Sequence, residues 1–182
     1  HWDIDARKAT NTFFCLSEFI QIKPVDFFSQ FNEFITPLQS DYQPKWLAFR
    51  DERRVHHTAY FKQIKYSDFS VFEQALGSVP DNCQLQISNS SIIRYAQLFS
   101  IKDAVTIFCN RGTSGIDGST STAIGAAFAS AKQTVFITGD LSFFYDSNGL
   151  WNTNIPPSFR IIIVNNSGGG IFKIIPGPGA TN

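Results

Sequence analysis

The sequence predicts an α/β fold, a parallel sheet flanked by helices, with a helical lead-in at the N-terminal side. Two observations predict it. From residue 84 onward, short apolar runs alternate with helix-like stretches, as right-handed strand–helix–strand crossovers require. Two of those runs, Thr134-Val135-Phe136-Ile137-Thr138 and Ile161-Ile162-Ile163-Val164, lead directly into polar glycine-bearing motifs. These are Gly139-Asp140-Leu141-Ser142 and Asn165-Asn166-Ser167-Gly168-Gly169-Gly170. They fall where adjacent parallel strands end, the usual ligand position in an open α/β sheet.

Each element follows from local pattern. Residues 1 to about 25 hold strand-like pieces such as Phe19-Ile20-Gln21-Ile22. Pro24 opens a helix running from Val25 to Phe34, with apolar residues at helical spacing. A longer helix is predicted from Lys45 to Ile64, carrying Trp46, Phe49, Val55, Tyr60 and Phe61. Ser67-Asp68 is a start signal for a helix from Phe69 to Leu76, ending at Gly77. Then come a strand at Gln84–Ile87, a helix at Ser91–Phe99, a strand at Val105–Cys109 and a helix at Ser119–Ser130. A strand at Thr134–Thr138, a helix at Leu141–Asn152 and a strand at Arg160–Val164 complete the alternation. The expected organisation is a lead-in over residues 1–80 and the α/β domain over residues 81–182.

Composition narrows the function classes. At 182 residues and 43% hydrophobic content the chain can bury one full core, and no apolar run approaches the ~20 residues of a membrane span. A net charge of zero argues against a broad nucleic-acid or membrane-binding surface, so neither partner is expected. Cys15, Cys83 and Cys109 are odd in number and widely spaced, a pattern of reduced thiols. With no secretory signal at the start, a cytoplasmic location is expected. The abrupt opening on His1-Trp2-Asp3, the absence of methionine and the turn-rich close at Pro176–Asn182 predict that both ends continue in a longer protein.

The paired motifs carry the chemistry. Asp140 offers a carboxylate, Asn166 a carboxamide oxygen and the glycines an unobstructed backbone carbonyl. Such hard oxygen donors suit Mg²⁺ or Ca²⁺, and Mg²⁺ commonly completes its octahedron with phosphate oxygens and water. Asp140 and Asn166 lie 26 positions apart, enough for one crossover helix and one strand to bring them side by side. Alone, each motif is an ordinary helix cap or turn; the pair predicts a metal-bridged diphosphate site. Between Asn110 and Thr120, three glycines and four hydroxyls lead into a helix with the small residues Ala123, Gly125, Ala126 and Ala127. That loop either wraps an anionic ligand or is a turn capped by Asp117 or Ser119. Ser90 and Arg94, four apart, either grip a carboxylate together or are an N-cap and a surface arginine. Arg53, Arg54, His56 and His57 are expected to form a solvated basic face.

The paired motif resembles the cofactor signature of the thiamine diphosphate (ThDP) enzymes. The fuller runs Arg111-Gly-Thr-Ser-Gly-Ile-Asp-Gly, Gly-Asp-Leu-Ser-Phe-Phe-Tyr-Asp and Asn-Asn-Ser-Gly-Gly-Gly-Ile-Phe look like the menaquinone-pathway branch of that family. The likeness is strong from about residue 84 to 177 and looser before. Leu141 departs from the Gly or Ser usual after the family's Asp.

The resemblance implies a ThDP-binding fold of the diphosphate (PP) type, preceded by the tail of a central domain. It implies side-chain ligation of Mg²⁺ (or Mn²⁺) by Asp140 and Asn166, with the Gly168 carbonyl as a third ligand. Ser142 and neighbouring amides at Gly139 and Leu141 would hold the diphosphate, Ile116 would prop the bent cofactor, and Gly169 and Ile171 would adjoin it. Ser90, Arg94 and Arg111 match positions that bind substrate carboxylates; Phe172 and Ile175 match the pocket wall. The implied reaction is decarboxylation of 2-oxoglutarate and addition of the four-carbon unit to isochorismate. The glutamate that activates the cofactor belongs to a pyrimidine-binding domain with no counterpart in residues 1–80. A homodimer or homotetramer and an inactive isolated segment are therefore implied. The alternatives are a different ThDP-dependent 2-oxoacid enzyme, of acetolactate synthase or decarboxylase type, and a non-catalytic scaffold of the same fold.

Overall fold

A computed structural model of the protein describes residues 9–173, the last two as backbone alone. The chain divides into two compact units between Val55 and His56.

In the first unit, α1 (Pro24–Phe34) begins at a proline whose ring presets the helical φ, behind an extended Lys23. Helix α2 (Tyr42–Phe61) starts three residues earlier than the pattern predicts and runs into the second unit. Neither helix contains a buried residue. Residues 19–22, expected as a strand piece, are not in a strand. An isolated extended segment gains no ladder hydrogen bonds, and no described strand pairs with this one.

The second unit contains the sheet. Four strands, β1 (Gln84–Ile87), β2 (Thr106–Cys109), β3 (Thr134–Gly139) and β4 (Phe159–Val164), lie in the order β2-β1-β3-β4, all parallel. The helices are α3 (Asp68–Gly77), α4 (Ser91–Ala96), α5 (Ser119–Phe128) and α6 (Asp140–Tyr145). The expected α/β class, a parallel sheet flanked by helices, is the one observed.

The central strands are buried on both faces, so their side chains divide by parity. Leu85, Ile87, Val135 and Ile137 join Phe72, Leu76 and Val79 and the α4 residues Ile92, Ile93 and Ala96 in one core cluster. Phe136 and Phe159 pack with Ala123, Ile124 and Ala127 of α5 in the other. Of the small residues in α5, Ala123 and Ala127 are buried in this cluster, whereas Gly125 faces outward. Gln84, buried beneath α5, donates to the Ala126 carbonyl (2.9 Å) and the Thr134 hydroxyl (2.7 Å). By contrast β2 is an edge strand, and its Ile107 and Phe108 are exposed.

Four helices stop short of their predicted ends, α2 at Phe61 rather than Ile64 and α5 at Phe128 rather than Ser130 among them. Helix α4 closes at Ala96 because Leu98 and Phe99 bond three residues back, to Tyr95 (3.0 Å) and Ala96 (3.3 Å), tightening the last turn. Helix α6 breaks at Asp146, which leaves helical geometry (φ −139°) and turns its carboxylate onto α5. A 3₁₀ turn at Ser147–Leu150 follows.

His57 also departs from expectation. Its ring lies 5.1 Å from that of Phe69 and 5.2 Å from that of Phe99, so it belongs to an aromatic cluster rather than a solvated basic face. Arg53 is exposed as predicted, its guanidinium 4.7 Å over the Phe49 ring.

Candidate functional site

The connection after β1 goes outward to β2, and the next returns across β1 to β3. That reversal opens a crevice at the carboxyl ends of the strands. A cleft with about 470 Å³ of empty space lies there, part of it open to solvent. Its walls come from the loops after all four strands: Asn89 to Ile92 after β1, Ile116 after β2, Gly139 to Ser142 after β3, and residues between Val164 and Ile171 after β4.

Pairing of Gly139 with Val164 sets the strand ends level, which brings the two predicted motifs together. Asp140 is buried, and both of its carboxylate oxygens accept backbone amides. Leu141 N donates to Oδ1 (2.8 Å) and Gly168 N donates to Oδ2 (2.8 Å). Each carboxylate oxygen keeps a further lone pair, so this fixes Asp140 without using up its capacity as a ligand. The Gly168 amide reaches it through a run of left-handed residues, Ser167 (φ 63°), Gly168 (φ 109°) and Gly169 (φ 38°).

Asn166 is anchored from the opposite side. Its Nδ2 donates to Asp68 Oδ2 at 2.8 Å, while its Oδ1 is buried with no hydrogen-bond partner. A buried acceptor without a partner costs roughly 1–3 kcal/mol, so it marks a place for a ligand. A free carboxamide oxygen beside an anchored carboxylate is a hard-oxygen donor set that fits Mg²⁺. Among the described residues no group of three or more His, Cys, Asp and Glu side chains occurs, so the soft-metal classes have no candidate there.

Most predicted cofactor residues meet in this cleft. Ile116, Gly139, Asp140, Leu141, Ser142, Asn166, Gly169 and Ile171 line it, as does Ser90. Ser142 Oγ donates to the Ile116 carbonyl at 2.6 Å, which ties the β3 motif to the loop after β2 and fixes where Ile116 stands. Ser90 holds a left-handed backbone (φ 71°) at the start of α4. Strained non-glycine conformations of this kind collect at functional sites.

The arginines behave differently. Arg94 is exposed and does not border the cleft, so Ser90 and Arg94 do not form the joint grip that their spacing allows. Arg111 is exposed too, but its Nη1 donates to Asn89 Oδ1 at 2.7 Å. Asn89 Nδ2 in turn donates to the Ser114 and Gly115 carbonyls, so one buried amide organises the loop from Arg111 to Ile116. The side chain of Phe172 and the whole of Ile175 lie outside the described residues.

Neither predicted cap serves α5. Its N-cap is Gly118 in the left-handed region, and Asp146 receives Ser121 N and Ser121 Oγ, each at 2.7 Å. In the sequence Asp68 reads only as a helix start. Nothing local signals its role, because its partner lies 98 positions away.

No protein-family model matches the chain. It is 55% identical over 177 residues to the 2-succinyl-5-enolpyruvyl-6-hydroxy-3-cyclohexene-1-carboxylate synthase of Flavobacterium psychrophilum, covering 97% of the chain and 32% of that protein. Identity is 54% over 180 residues to the synthase of Flavobacterium johnsoniae and 40% over 178 residues to that of Phocaeicola vulgatus. These alignments cover 97% of the chain in both cases, and 32% and 31% of the respective relatives. Over nearly all of its residues, then, the chain is similar to a stretch of the 2-succinyl-5-enolpyruvyl-6-hydroxy-3-cyclohexene-1-carboxylate synthases, of whose length it spans about a third.

Proposed function

We propose that this chain is the diphosphate- and metal-binding part of a ThDP-dependent synthase of menaquinone biosynthesis. Its residues 81–182 would form the ThDP domain and residues 1–80 the tail of the preceding domain. The whole protein would join 2-oxoglutarate, after loss of CO₂, to isochorismate, acting as a cytoplasmic homodimer or homotetramer. The observation that carries the reading is the buried, unpartnered Asn166 Oδ1 beside the doubly anchored Asp140 at the strand ends.

Asp140 and Asn166, with the Gly168 carbonyl, would hold Mg²⁺, and the metal would hold the diphosphate. ThDP, when bound, supplies the electron sink for cleavage of a 2-oxoacid carboxylate. This chain's part is binding and orientation. Amides around Gly139 to Ser142 would hold the diphosphate. Ile116, fixed through Ser142, would support the bent cofactor. Ser90 and Arg111 would bind substrate carboxylates, for which a guanidinium fork is suited. The activating glutamate would come from another domain, so the segment alone would not turn over.

Calorimetric titration of ThDP into the whole protein, with and without Mg²⁺, tests this. Metal-dependent binding that disappears in Asp140→Ala is expected. Binding unchanged by Asp140→Ala would overturn the reading in favour of a scaffold, and turnover of pyruvate alone would favour another ThDP chemistry.

A further inference from the structure

Asp68 receives a hydrogen bond that decides which end of Asn166 meets the cleft, and we propose that it is a positioning residue for the metal ligand. The inference rests on the metal-site reading above. A carboxylate accepts and does not donate, so the amide terminus 2.8 Å from Asp68 Oδ2 has to be the NH₂ group. The oxygen is then turned the other way, and it is this oxygen that lies buried without a partner. Without Asp68 the carboxamide fits its site nearly as well after a half-turn, which would present two N–H donors where a cation needs an acceptor.

The element that carries Asp68 is well fixed. Asp68 opens α3, whose Phe72 and Leu76 are buried in the core. Ser70 Oγ accepts Ser67 N (2.9 Å) and donates to the Ser67 carbonyl (2.8 Å), closing the turn around Asp68. Gly170 leaves room for the amide on the other side: a Cβ there would stand 3.0 Å from Asn166 Nδ2. Asp68 also places a second negative charge behind the ligand set, which has a single carboxylate of its own. Partners of this outer kind commonly change metal affinity by 10- to 100-fold when removed.

The test uses the whole protein with Mn²⁺ in place of Mg²⁺, reading free Mn²⁺ by electron paramagnetic resonance in the presence of ThDP. Melting temperature is measured without metal or cofactor. Asp68→Ala is expected to weaken Mn²⁺ binding about tenfold or more. Asp68→Asn should weaken it less, because its carbonyl still accepts from Asn166 Nδ2 in one of its two orientations. A purely structural role for Asp68 would lower the melting temperature and leave Mn²⁺ affinity alone. Should Asp68→Ala fail to fold, Asp68→Asn decides. Wild-type affinity in the folded Asp68 variants, with Asn166→Ala impaired, would overturn the positioning role alone. Wild-type affinity in Asn166→Ala would bring down the site reading and this inference with it.

Discussion

Asp140 owes its orientation to two backbone amides, and one belongs to a residue for which glycine is required. Gly168 sits at φ 109°, a conformation that an L side chain adopts only under strain. Gly168→Ala should cost about 1–3 kcal/mol and release the Gly168 N to Asp140 Oδ2 bond. Denaturant unfolding and Mn²⁺ titration check both halves, and an unshifted midpoint with intact binding would contradict the argument. The thiols make a second residue-scale case. Burial pushes the Cys83 thiol above its ordinary 9.0, against smaller lowering effects from a backbone hydrogen bond and Lys102. Burial likewise raises Cys109, with Arg111 opposing. As the pH climbs past about 9, these thiols ionise in the unfolded chain before they do in the folded one. The unfolded state then holds fewer protons, so stability is complete below that pH and falls above it. Melting temperature measured from pH 7 to 10.5 should show this alkaline decline, shallower in Cys83→Ala. At the site itself, Asp140 and Asn166 were legible because each directly follows an apolar strand. Ile116 was legible through family likeness alone. Asp68 was not legible, since a contact made by folding leaves no mark at that separation.

At the scale of elements, α5 shows how tertiary contacts replace local caps. The loop ahead of it offers Asp117 and Ser119, yet Gly118 occupies the cap position and the acceptor comes from α6. Asp146 pays for its two bonds to Ser121 by leaving the helix it terminates, which is why α6 is shorter than its apolar spacing predicts. The 3₁₀ turn that follows lies close on α5: a Cβ at Gly149 would come 3.2 Å from Ser121 N. Asp146→Ala should therefore destabilise by about 1–3 kcal/mol, since it strips both a helix-start acceptor and a buried partner. A change below half a kilocalorie in denaturant unfolding would show that water substitutes for the carboxylate. The strands were more legible than the helices for the same reason. β1 has its expected bounds, and β3 and β4 each differ by one residue. In the central β3, burial on both faces writes a continuous apolar or β-branched run. Helix ends in this fold depend on which neighbour supplies the cap, and periodicity carries no record of that.

On the scale of the whole molecule, stability is unevenly distributed. Every buried apolar residue among those described belongs to the unit that begins at His56, and all four strands lie there. β1 and β3 occupy the middle of the sheet, with ladder bonds on both sides and core clusters above and below. Helices α1 and α2 have no buried residue, and most helical stability comes from burying an apolar face rather than from propensity. Opening free energies should therefore range from near zero in α1 up to the global value in β1 and β3. Hydrogen exchange followed by mass spectrometry should find peptides covering residues 24–34 exchanged well before those covering residues 84–87 and 134–139. Peptides from residues 42–55 should follow α1 rather than the strands. Equal protection of α1 and β3 would mean that the first unit is stabilised by contacts beyond those within it. Addition of ThDP and Mg²⁺ to the whole protein should further slow exchange at residues 139–142 and 165–170, because a ligand that binds only the closed form lowers the population of the open one. Unchanged exchange at those loops, under conditions where calorimetry reports binding, would place the cofactor elsewhere.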